Sequence, residues 1–469
     1  MMRTSSYVFF SKLSDDDAVI VYQGALGYFD RVSRDVADFL RLPSLSDDAV
    51  EELQIDGSVL KYLASRGYIT SKSPEEELAL FTSYAKRAHK QAVDQYAPSF
   101  AIVPSYACNL RCFYCFQDHL LHADQRLIDG ERINLAFMAI DDLLSTPDFS
   151  ARREVARVKL YGGEPLLAQN RPAILHIVEK CRERGFLPLR AITNGTELEH
   201  YYDLLGPEGI GELQITLDGP RNIHDKRRVG PCYHTTFDLI ARNIGLALRR
   251  GVHLTLRANV DATNAWSIGE LFEYARREGW TDFSGFSFQP ATVTPNQRRA
   301  SHTLITTGQF FSIVQEKSEA CGLSCGSPSI VDAAVRQYAK AGRVSLRRTA
   351  YCNANLGYYI LDLFGDIYSC ENEAGTRAKR LGTYLNGRFE LRTEAAQRWI
   401  DRNVSTIPEC SRCPVALICG GGCAYSADLV NGNFYSSYCD GFKEHVAEEL
   451  PRAYAKHVRG SFESSEALT

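Results

Sequence analysis

Three cysteines fall within one short stretch of the chain, at Cys108, Cys112 and Cys115, directly after an apolar run that reads as a strand. Thiolates are soft ligands that select zinc or iron–sulfur clusters, and both kinds of site usually take four ligands. A local group of three therefore either lacks a ligand or leaves one metal position open. An open position matters chemically, because it is where a cofactor or substrate can bind the metal.

The spacing C-x3-C-x2-C, with Tyr114 before the last cysteine, resembles the signature of the radical S-adenosylmethionine (SAM) enzymes. That resemblance implies a 4Fe-4S cluster with three irons bound by the cysteines and the fourth chelated by SAM. It also implies reductive cleavage of SAM to a 5'-deoxyadenosyl radical, chemistry that belongs to the cofactor while the protein provides placement. A structural zinc knuckle or a loop of free cysteines is the alternative for the triad alone.

Seven more cysteines lie in the last third of the chain. They are Cys352, Cys370, Cys410, Cys413, Cys419, Cys423 and Cys439. Their spacing resembles the C-terminal extension called SPASM, which holds two auxiliary iron–sulfur clusters in peptide- and protein-modifying radical SAM enzymes. By that resemblance one cluster takes the cysteines at 410, 413, 419 and 439, and the other takes those at 352, 370 and 423.

The second of these ligand sets has only three members. Relatives carry a further cysteine a few residues before Cys352, where this chain has Leu346. Either Cys321 or Cys325 supplies the fourth ligand, or that iron is open to substrate. Zinc is the alternative for residues 410 to 423 taken by themselves, since C-x2-C pairs often bind it.

Size and composition describe an ordinary globular protein. The 469 residues are 45% hydrophobic and 23% charged, with a net charge of -4. No basic excess suggests a nucleic-acid partner, and no apolar run has the length of a membrane span. We expect a cytoplasmic protein, where 14 cysteines are better explained by metal ligation than by disulfides.

Strand-like and helical runs alternate from about residue 98 to 325, a rhythm that predicts a β/α repeat with a parallel sheet. Six strands suit an incomplete barrel, so we predict a partial (β/α)6 barrel as the radical SAM resemblance also implies. In such folds chemistry belongs at the carboxyl ends of strands. Candidate residues end three of these strands or lie on the fifth: Gly162, Gly163, Glu164, Thr193, Asn194, Asp218 and Arg257.

The resemblance gives these candidates roles in holding SAM. Glu164, in the segment YGGEP, is implied to hold the amino group, while Thr193, Asn194 and Asp218 are implied to lie near the ribose and methionine parts. Arg257 is a candidate for the SAM carboxylate, because an arginine in an apolar strand needs a partner. The following segment HDKRR, residues 224–228, resembles a polar stretch of related maturases, and its lysine and two arginines are interpreted as residues of a solvated loop.

Residues 1 to about 95 carry no cysteine and read as three short strands followed by three amphipathic helices and a linking helix at 74–95. This order resembles the winged-helix peptide-recognition domain fused to many enzymes that modify ribosomally made peptides. In that family a leader peptide adds a strand to an exposed sheet edge. A generic winged helix or a structural cap is the alternative.

We therefore predict four parts. They are a winged-helix-like domain at 1–95, a radical SAM partial barrel at 96–325, a SPASM domain at 326–450 and a disordered tail at 451–469. Glu371, directly after Cys370, occupies the place of the proton-accepting aspartate of sulfatase maturases. A carboxylate beside a cluster would have a raised pKa and could act as a catalytic base; a surface acid is the alternative.

Three functional hypotheses follow. The first is a radical SAM/SPASM maturase that crosslinks or otherwise oxidises side chains of a precursor peptide held by residues 1 to about 90. The second is a sulfatase-maturase-like oxidation of Ser or Cys to formylglycine. The third is a non-catalytic electron carrier or zinc adaptor, which would not need a SAM pocket. For either enzyme we expect a flavodoxin- or ferredoxin-type electron donor as a partner.

Overall fold

The computed structural model describes residues 2–13, 18–118, 120, 125–295, 303–322, 329–344 and 347–458. Leu346 and Cys325, both named above, lie outside the described residues. The described chain forms two compact units. Unit 1 comprises Met1–Ala92, Pro328–Cys352 and Arg402–Thr469; unit 2 comprises Val93–Ser327 and Asn353–Asp401. The domain limits given above stay a prediction.

Both units contain strands and helices, which alternate along the first part of unit 2. The strands are β1 (Arg3–Thr4), β2 (Val8–Lys12), β3 (Val19–Gln23), β4 (Tyr28–Val32), β5 (Ile69–Thr70), β6 (Ser99–Val103), β7 (Arg157–Leu160), β8 (Leu189–Thr193), β9 (Ile210–Thr216), β10 (His253–Val260), β11 (Phe286–Thr292), β12 (Tyr358–Asp362), β13 (Asp366–Tyr368), β14 (Gly382–Thr383) and β15 (Glu390–Leu391). The helices are α1 (Arg34–Arg41), α2 (Asp47–Glu52), α3 (Gly57–Ser65), α4 (Pro74–Gln95), α5 (Gly130–Ser145), α6 (Arg171–Arg184), α7 (Arg221–Arg227), α8 (Phe237–Arg249), α9 (Ile268–Arg277), α10 (Thr307–Cys321), α11 (Ile330–Ala341), α12 (Thr393–Asp401), α13 (Ala416–Cys419), α14 (Ala424–Asn431) and α15 (Phe442–His457).

Unit 2 contains one ten-stranded sheet whose first six strands in sheet order, β11-β10-β9-β8-β7-β6, are all parallel. Strand β12 continues the sheet in parallel beside β6, and β13 to β15 add antiparallel strands at that edge. The six parallel strands fall on the six predicted runs. The predicted fold class is confirmed.

Alternation along a strand sets the two faces of this sheet. In β10, Leu254, Leu256 and Ala258 are buried, whereas Arg257 and Asn259 between and after them are only half-buried. Side chains on a strand point alternately to opposite faces, so the apolar set packs on one face and the polar set lies on the other. Of the candidate site residues, Arg257 lies on this polar face, while Thr193, at the end of β8, aligns with the apolar set through Ile215 and Leu256.

One prediction about this unit is wrong in part, and one about the tail is wrong. Residues 221–227, which include most of HDKRR, form helix α7; Lys226 on it is exposed, as predicted, but Arg227 and the following Arg228 are buried rather than solvated. Helix α15 continues past Pro451 to His457, with Leu450 and Ala453 buried, so the start of the predicted tail is ordered helix. Residues 459–469 lie outside the described residues.

In unit 1, the predicted order of three strands and three helices is present as β2-β3-β4 followed by α1, α2 and α3. One face of the three-stranded sheet shares a core with these helices through Val19, Val21 and Val32. The other face shares a second core, through Tyr22, with the region that carries Cys410 and Cys413. The sheet is therefore covered on both faces within this unit.

No described helix is long and apolar enough to cross a membrane.

Candidate functional site

The first cysteine group lies on the segment that leaves the carboxyl end of β6. The segment after β7 runs beside it: the N–H of Gly163 donates to the carbonyl of Ser105 at 3.2 Å, and the N–H of Glu164 donates to that of Ala107 at 2.8 Å. A Cβ atom on Gly163 would lie 2.2 Å from the carbonyl oxygen of Tyr106. Glycine is required here because no side chain fits, and the close approach fixes the start of the cysteine loop.

Glu164 is the centre of a buried polar group. Its Oε1 accepts from the N–H of Leu166 at 2.8 Å and from the hydroxyl of Thr193 at 2.7 Å, and its Oε2 accepts from the N–H of Asn194 at 2.5 Å. Burial raises the pKa of Glu164 to about 7, although these three donors favour the ionised form. The predicted residues Glu164, Thr193 and Asn194 thus lie together.

This group reaches the first cysteine. The side-chain amide of Asn194 donates to the side-chain oxygen of Asn109 at 2.7 Å and lies 4.0 Å from the Sγ of Cys108. Burial raises the pKa of the Cys108 thiol, and the nearby Glu164 and Cys112 raise it further. A thiolate at this position therefore needs a compensating cation, which is what an iron cluster provides. Asn109, inside the cysteine motif, was not singled out from the sequence.

Tyr114 lies in a second polar group around its buried hydroxyl. The hydroxyl donates to a carboxylate oxygen of Asp218 and accepts from Arg228 Nη1 at 2.8 Å and from Asn259 Nδ2 at 3.2 Å. Asp218 also accepts from the backbone N–H of Asn259 at 2.9 Å and lies 3.5 Å from Arg227 Nε. In this structure both Tyr114 and Asp218 are engaged by protein groups.

Arg227 and Arg228 correct the interpretation of HDKRR as a solvated loop. They are 4% and 7% exposed, and the Arg227 guanidinium pairs with buried Asp261 at 3.0 Å. The Arg228 charge lowers the pKa of Cys112, against a larger rise caused by burial. The error arose because consecutive charged residues usually indicate exposure, while here tertiary packing buries Arg227 at the end of α7 and the following Arg228.

Arg257 joins this second group indirectly. It is half-buried on the polar face of β10, and its Nε donates to Asn259 Oδ1 at 3.1 Å. Asn259 also contacts Tyr114 and Asp218, so three predicted cofactor residues meet at one asparagine. The alternation of polar residues along β10 was the only sequence signal for Asn259.

Glu371 lies apart from both groups. Its carboxylate pairs with Lys159 Nζ at 2.5 Å and accepts from the hydroxyl of Tyr358 at 3.2 Å. The predicted rise in its pKa is wrong: burial raises the pKa, but Lys159, Tyr358 and Arg190 together lower it by more, and the net shift is downward. Because Lys159 and Glu371 are far apart in sequence, no local sequence pattern indicated that they form an ion pair.

Asp362, at the end of β12, was also missed. It is fully buried, accepts from the backbone N–H groups of Phe364 and Asp366 at 3.0 Å each, and accepts from the hydroxyl of Tyr106 at 3.1 Å. Burial raises the pKa of Asp362 to about 7. Since Tyr106 lies two residues before Cys108, this contact joins β12 to the root of the cysteine loop.

The second cysteine group lies in unit 1. Cys410 and Cys413 are buried in the core that also contains Tyr22, while Cys419 is partly buried and Cys439 is exposed. Burial raises the pKa of Cys410, and the charges of Cys419, Cys413 and Cys439 raise it further, so these four thiols lie close enough to affect one another. This is the ligand set predicted for one auxiliary cluster.

The remaining predicted ligands are divided between the units. Cys352 and Cys423 belong to unit 1 and Cys370 to unit 2. Of the two candidates for a fourth ligand, Cys321 ends helix α10 in unit 2, where its thiol donates to the carbonyl of Lys317 at 2.8 Å. The ligand set of this cluster stays a sequence-based prediction.

The donor chemistry of both groups fits iron–sulfur clusters. Among the described residues, no three His, Cys, Asp or Glu side chains converge tightly enough to hold one metal ion. In a 4Fe-4S cluster four thiolates surround four irons, and hydrogen bonds to sulfur adjust the potential. Backbone N–H groups of that kind are present: burial raises the pKa of Cys413, and the N–H groups of Val415 and Ala416 lower it in part.

Comparison with known proteins adds a family match. Residues 102–275 match the model of the Radical SAM superfamily. The cysteine-type anaerobic sulfatase-maturating enzyme of Clostridium novyi (strain NT) is 20% identical over 376 residues, which cover 74% of this chain and 93% of that protein. The GTP 3',8-cyclase of Synechocystis sp. is 29% identical over 174 residues, which cover 36% of this chain and 48% of that protein.

Solved structures share the fold over a longer part of the chain. Native anSMEcpe with bound AdoMet is 20% identical and superposes with a TM-score of 0.59, covering 77% of this chain and 100% of that one. Streptococcus suis SuiB bound to S-adenosylmethionine is 15% identical, with a TM-score of 0.51 over 93% of this chain and 98% of that one. The second likeness extends over nearly the whole chain.

Proposed function

Because this chain carries a radical SAM domain and has the fold of the radical SAM/SPASM maturases, we propose that it oxidatively modifies side chains of a ribosomally made precursor peptide. The observation that carries this proposal is the first cysteine group, three thiols on one loop beside the buried Glu164. Cys108, Cys112 and Cys115 would hold a 4Fe-4S cluster there, which together with SAM would supply one-electron reductive cleavage of the sulfonium.

The residues around this loop have separable tasks in the proposal. Cys108, Cys112 and Cys115 hold the cluster, and Gly162 and Gly163 allow the YGGEP segment to lie against the loop. Glu164, oriented by Thr193 and Asn194, attracts the ammonium group of SAM. Arg257 is the candidate for the SAM carboxylate. Tyr114 and Asp218 act through Asn259 and Arg228 to hold the loop in place rather than through direct contact.

The auxiliary clusters are part of the proposal. Crosslinking a side chain is a net oxidation, so an electron must leave the product, and further clusters provide a path for it. Cys410, Cys413, Cys419 and Cys439 would hold one of them. Cys352, Cys370 and Cys423 are proposed for the other, and a flavodoxin- or ferredoxin-type donor for the reduction of SAM.

A peptide substrate is supported by two observations. The order of β2-β3-β4 and α1 to α3 is the one expected of a peptide-recognition winged helix. In addition, anSMEcpe has been solved with AdoMet and the Cp18Cys peptide. The alternative, oxidation of Ser or Cys to formylglycine in a protein, is favoured by the sulfatase-maturating relatives. The N-terminal domain favours the peptide.

Glu371 is proposed as the group that accepts the substrate proton. Its pairing with Lys159 keeps it ionised and therefore able to accept. Loss of a general base typically slows a reaction by about 10²–10⁴-fold. Glu371→Gln should therefore leave 5'-deoxyadenosine formation intact but uncouple it from peptide oxidation, while unchanged coupling would remove Glu371 from this role.

The test of the proposed function is anaerobic reconstitution followed by assay of SAM cleavage. We expect about 12 irons per chain if three 4Fe-4S clusters are present. With SAM and dithionite the protein should release 5'-deoxyadenosine, and the Cys108, Cys112 and Cys115 to Ala triple variant should not. Short peptides encoded beside the gene, coexpressed with the enzyme, should lose two hydrogens per crosslink by mass spectrometry. Zinc instead of iron, or iron without SAM cleavage, would favour an electron carrier or adaptor.

A further inference from the structure

One buried cation in unit 1 has no role in the chemistry described above. Arg402 is 1% exposed and is among the largest fully buried side chains of the described chain. Its Nε donates to the carbonyl of Phe434 at 2.6 Å, its Nη1 to that of Gly422 at 2.9 Å, and its Nη2 to that of Ser436 at 2.9 Å. These partners are neutral carbonyls, which satisfy N–H groups but do not balance a positive charge.

A buried guanidinium is costly unless a negative charge lies nearby. Among the described residues Arg402 makes no ion pair with a carboxylate. The ionisable groups that act on it most strongly are cysteines: Cys423, Cys410, Cys352 and Cys419. Burial lowers the pKa of Arg402, and these thiols raise it again in part.

The hydrogen bonds of Arg402 also join two stretches of chain that carry predicted ligands. The carbonyls of Gly421 and Gly422 lie between Cys419 and Cys423, and those of Phe434 and Ser436 lie just before Cys439. The guanidinium plane, with donors in a fixed fork, can hold both stretches at once. Arg402 is thus both a link between the ligand segments and a charge placed among the ligands.

We propose that Arg402 is the positioning residue that balances the negative charge of the auxiliary clusters predicted for the cysteines around it, Cys410 and Cys419 of one and Cys352 and Cys423 of the other, and that it raises their reduction potentials. The inference rests on the proposed function, because it requires these clusters to be present. A 4Fe-4S cluster becomes more negative when it accepts an electron. A nearby fixed cation therefore stabilises the reduced form, and the low dielectric of the core strengthens the effect.

The test compares two substitutions of Arg402 in the full-length, reconstituted protein. Arg402→Gln removes the charge and keeps hydrogen-bonding capacity; Arg402→Lys keeps the charge and loses the fork. Both are made in the Cys108, Cys112, Cys115 to Ala background, so that only auxiliary clusters contribute to the signal. Arg412→Gln is the matched control, because Arg412 lies between Cys410 and Cys413 in sequence but is exposed.

The measured quantities are iron and sulfide content and the midpoint potential from an EPR-monitored redox titration. We expect Arg402→Gln to shift the one-electron equilibrium at least tenfold toward the oxidised cluster, or about 59 mV. Arg402→Lys should recover most of that shift, and Arg412→Gln should resemble the parent. An unchanged midpoint potential in Arg402→Gln would overturn the proposal. Loss of the clusters from both Arg402 variants would also overturn it, because it would show that Arg402 acts through its hydrogen bonds and not through its charge.

Failure of the proposed function would look different. If the protein without an Arg402 substitution bound zinc, or bound iron only at the first cysteine group, the auxiliary clusters would be absent whatever residue stood at position 402. If the parent held them and only the Arg402 potentials failed to move, the proposed function would stand and this inference would fall.

Discussion

The two cysteine groups of this protein differ in how the chain holds them. The first is a loop of three thiols, kept in place by hydrogen bonds from neighbouring strand ends and by one close contact of Gly163. The second has four thiols, two of them buried in a core that extends to the sheet of the N-terminal strands. Metal sites with a full set of protein ligands are usually structural, and those with an open position are usually catalytic.

Under the proposed function, this difference predicts separate roles for the two groups. A loop attached by hydrogen bonds can leave one iron accessible and can be surrounded by polar groups that meet the charges of SAM. A group embedded in an apolar core is better suited to exchange electrons without exchanging ligands. The comparison predicts that substitutions in the second group should destabilise much of unit 1. Substitutions around the first group should affect only the neighbouring polar contacts.

Removal of ligands from the second group should have the largest effect. In Cys410→Ala/Cys413→Ala, we expect loss of about four irons, because no complete ligand set remains. Since metal binding contributes folding energy, the shared core should also loosen. Hydrogen exchange of β3, whose Tyr22 lies in that core, should accelerate measurably.

Cys181→Ala is the control for this prediction. Cys181 is a fully buried cysteine on α6 that belongs to neither ligand group. Its substitution should keep the iron content of the wild type and leave β3 protected. Unchanged protection of β3 in the double variant would mean that the cluster and the N-terminal sheet are independent.

The next largest effect concerns Asp362, which contacts Tyr106 at the start of the first cysteine loop. Burial raises the pKa of Asp362 from 3.8 to about 7 in the folded protein. The folded state then binds the proton more tightly than the unfolded state, so this contribution to stability is present below about pH 4 and is lost as pH rises toward 7. Removing this carboxyl group should remove a pH-dependent contribution of about 2–4 kcal/mol to the free energy of unfolding.

Asp362→Asn is the substitution that isolates this term. The Oδ1 of the asparagine side chain can accept from the same backbone N–H groups, and its amide can donate to the hydroxyl of Tyr106. Urea denaturation between pH 5.5 and 8 should show that the difference in unfolding free energy between the two proteins grows in favour of the asparagine variant as pH rises. Parallel curves for the two proteins would refute the assignment.

The smallest effect is expected for Tyr114→Phe. The hydroxyl of Tyr114 contacts Asp218, Arg228 and Asn259, and its loss leaves buried polar groups without a partner. We expect a loss of about 1–3 kcal/mol in stability and incomplete occupancy of the first cluster. Tyr201→Phe, which removes a single hydrogen bond to the carbonyl of Leu167, should cost less and leave iron content unchanged. Equal effects of both variants would show that the Tyr114 network has no special role.

Much of the fold was predictable because it depends on periodicity. The six parallel strands, the N-terminal strands and helices, and the linking helix 74–95 all follow patterns of apolar and polar residues that repeat along the chain. The predicted resemblance to the radical SAM/SPASM maturases rests on cysteine spacing and is confirmed by the family match and the shared fold.

The site was less predictable where it depends on contacts between distant residues. Lys159 changes the pKa of Glu371, Asp362 meets Tyr106, and Arg402 meets carbonyls near Cys439, all without a local pattern. Arg227 at the end of α7 and the following Arg228 were misinterpreted because charged residues are normally exposed, and only tertiary packing buries them.

The most direct test of the comparison is whether SAM binds iron at the first group alone. Reduced, reconstituted protein is mixed with SAM labelled with ¹⁵N in its amino group and ¹³C in its carboxylate, and hyperfine couplings are measured by electron–nuclear double resonance. The account predicts couplings in the wild type and in Cys410→Ala/Cys413→Ala, and none in the Cys108, Cys112, Cys115 to Ala variant. Couplings that persist in that triple variant would place the open iron at the other group and contradict the account.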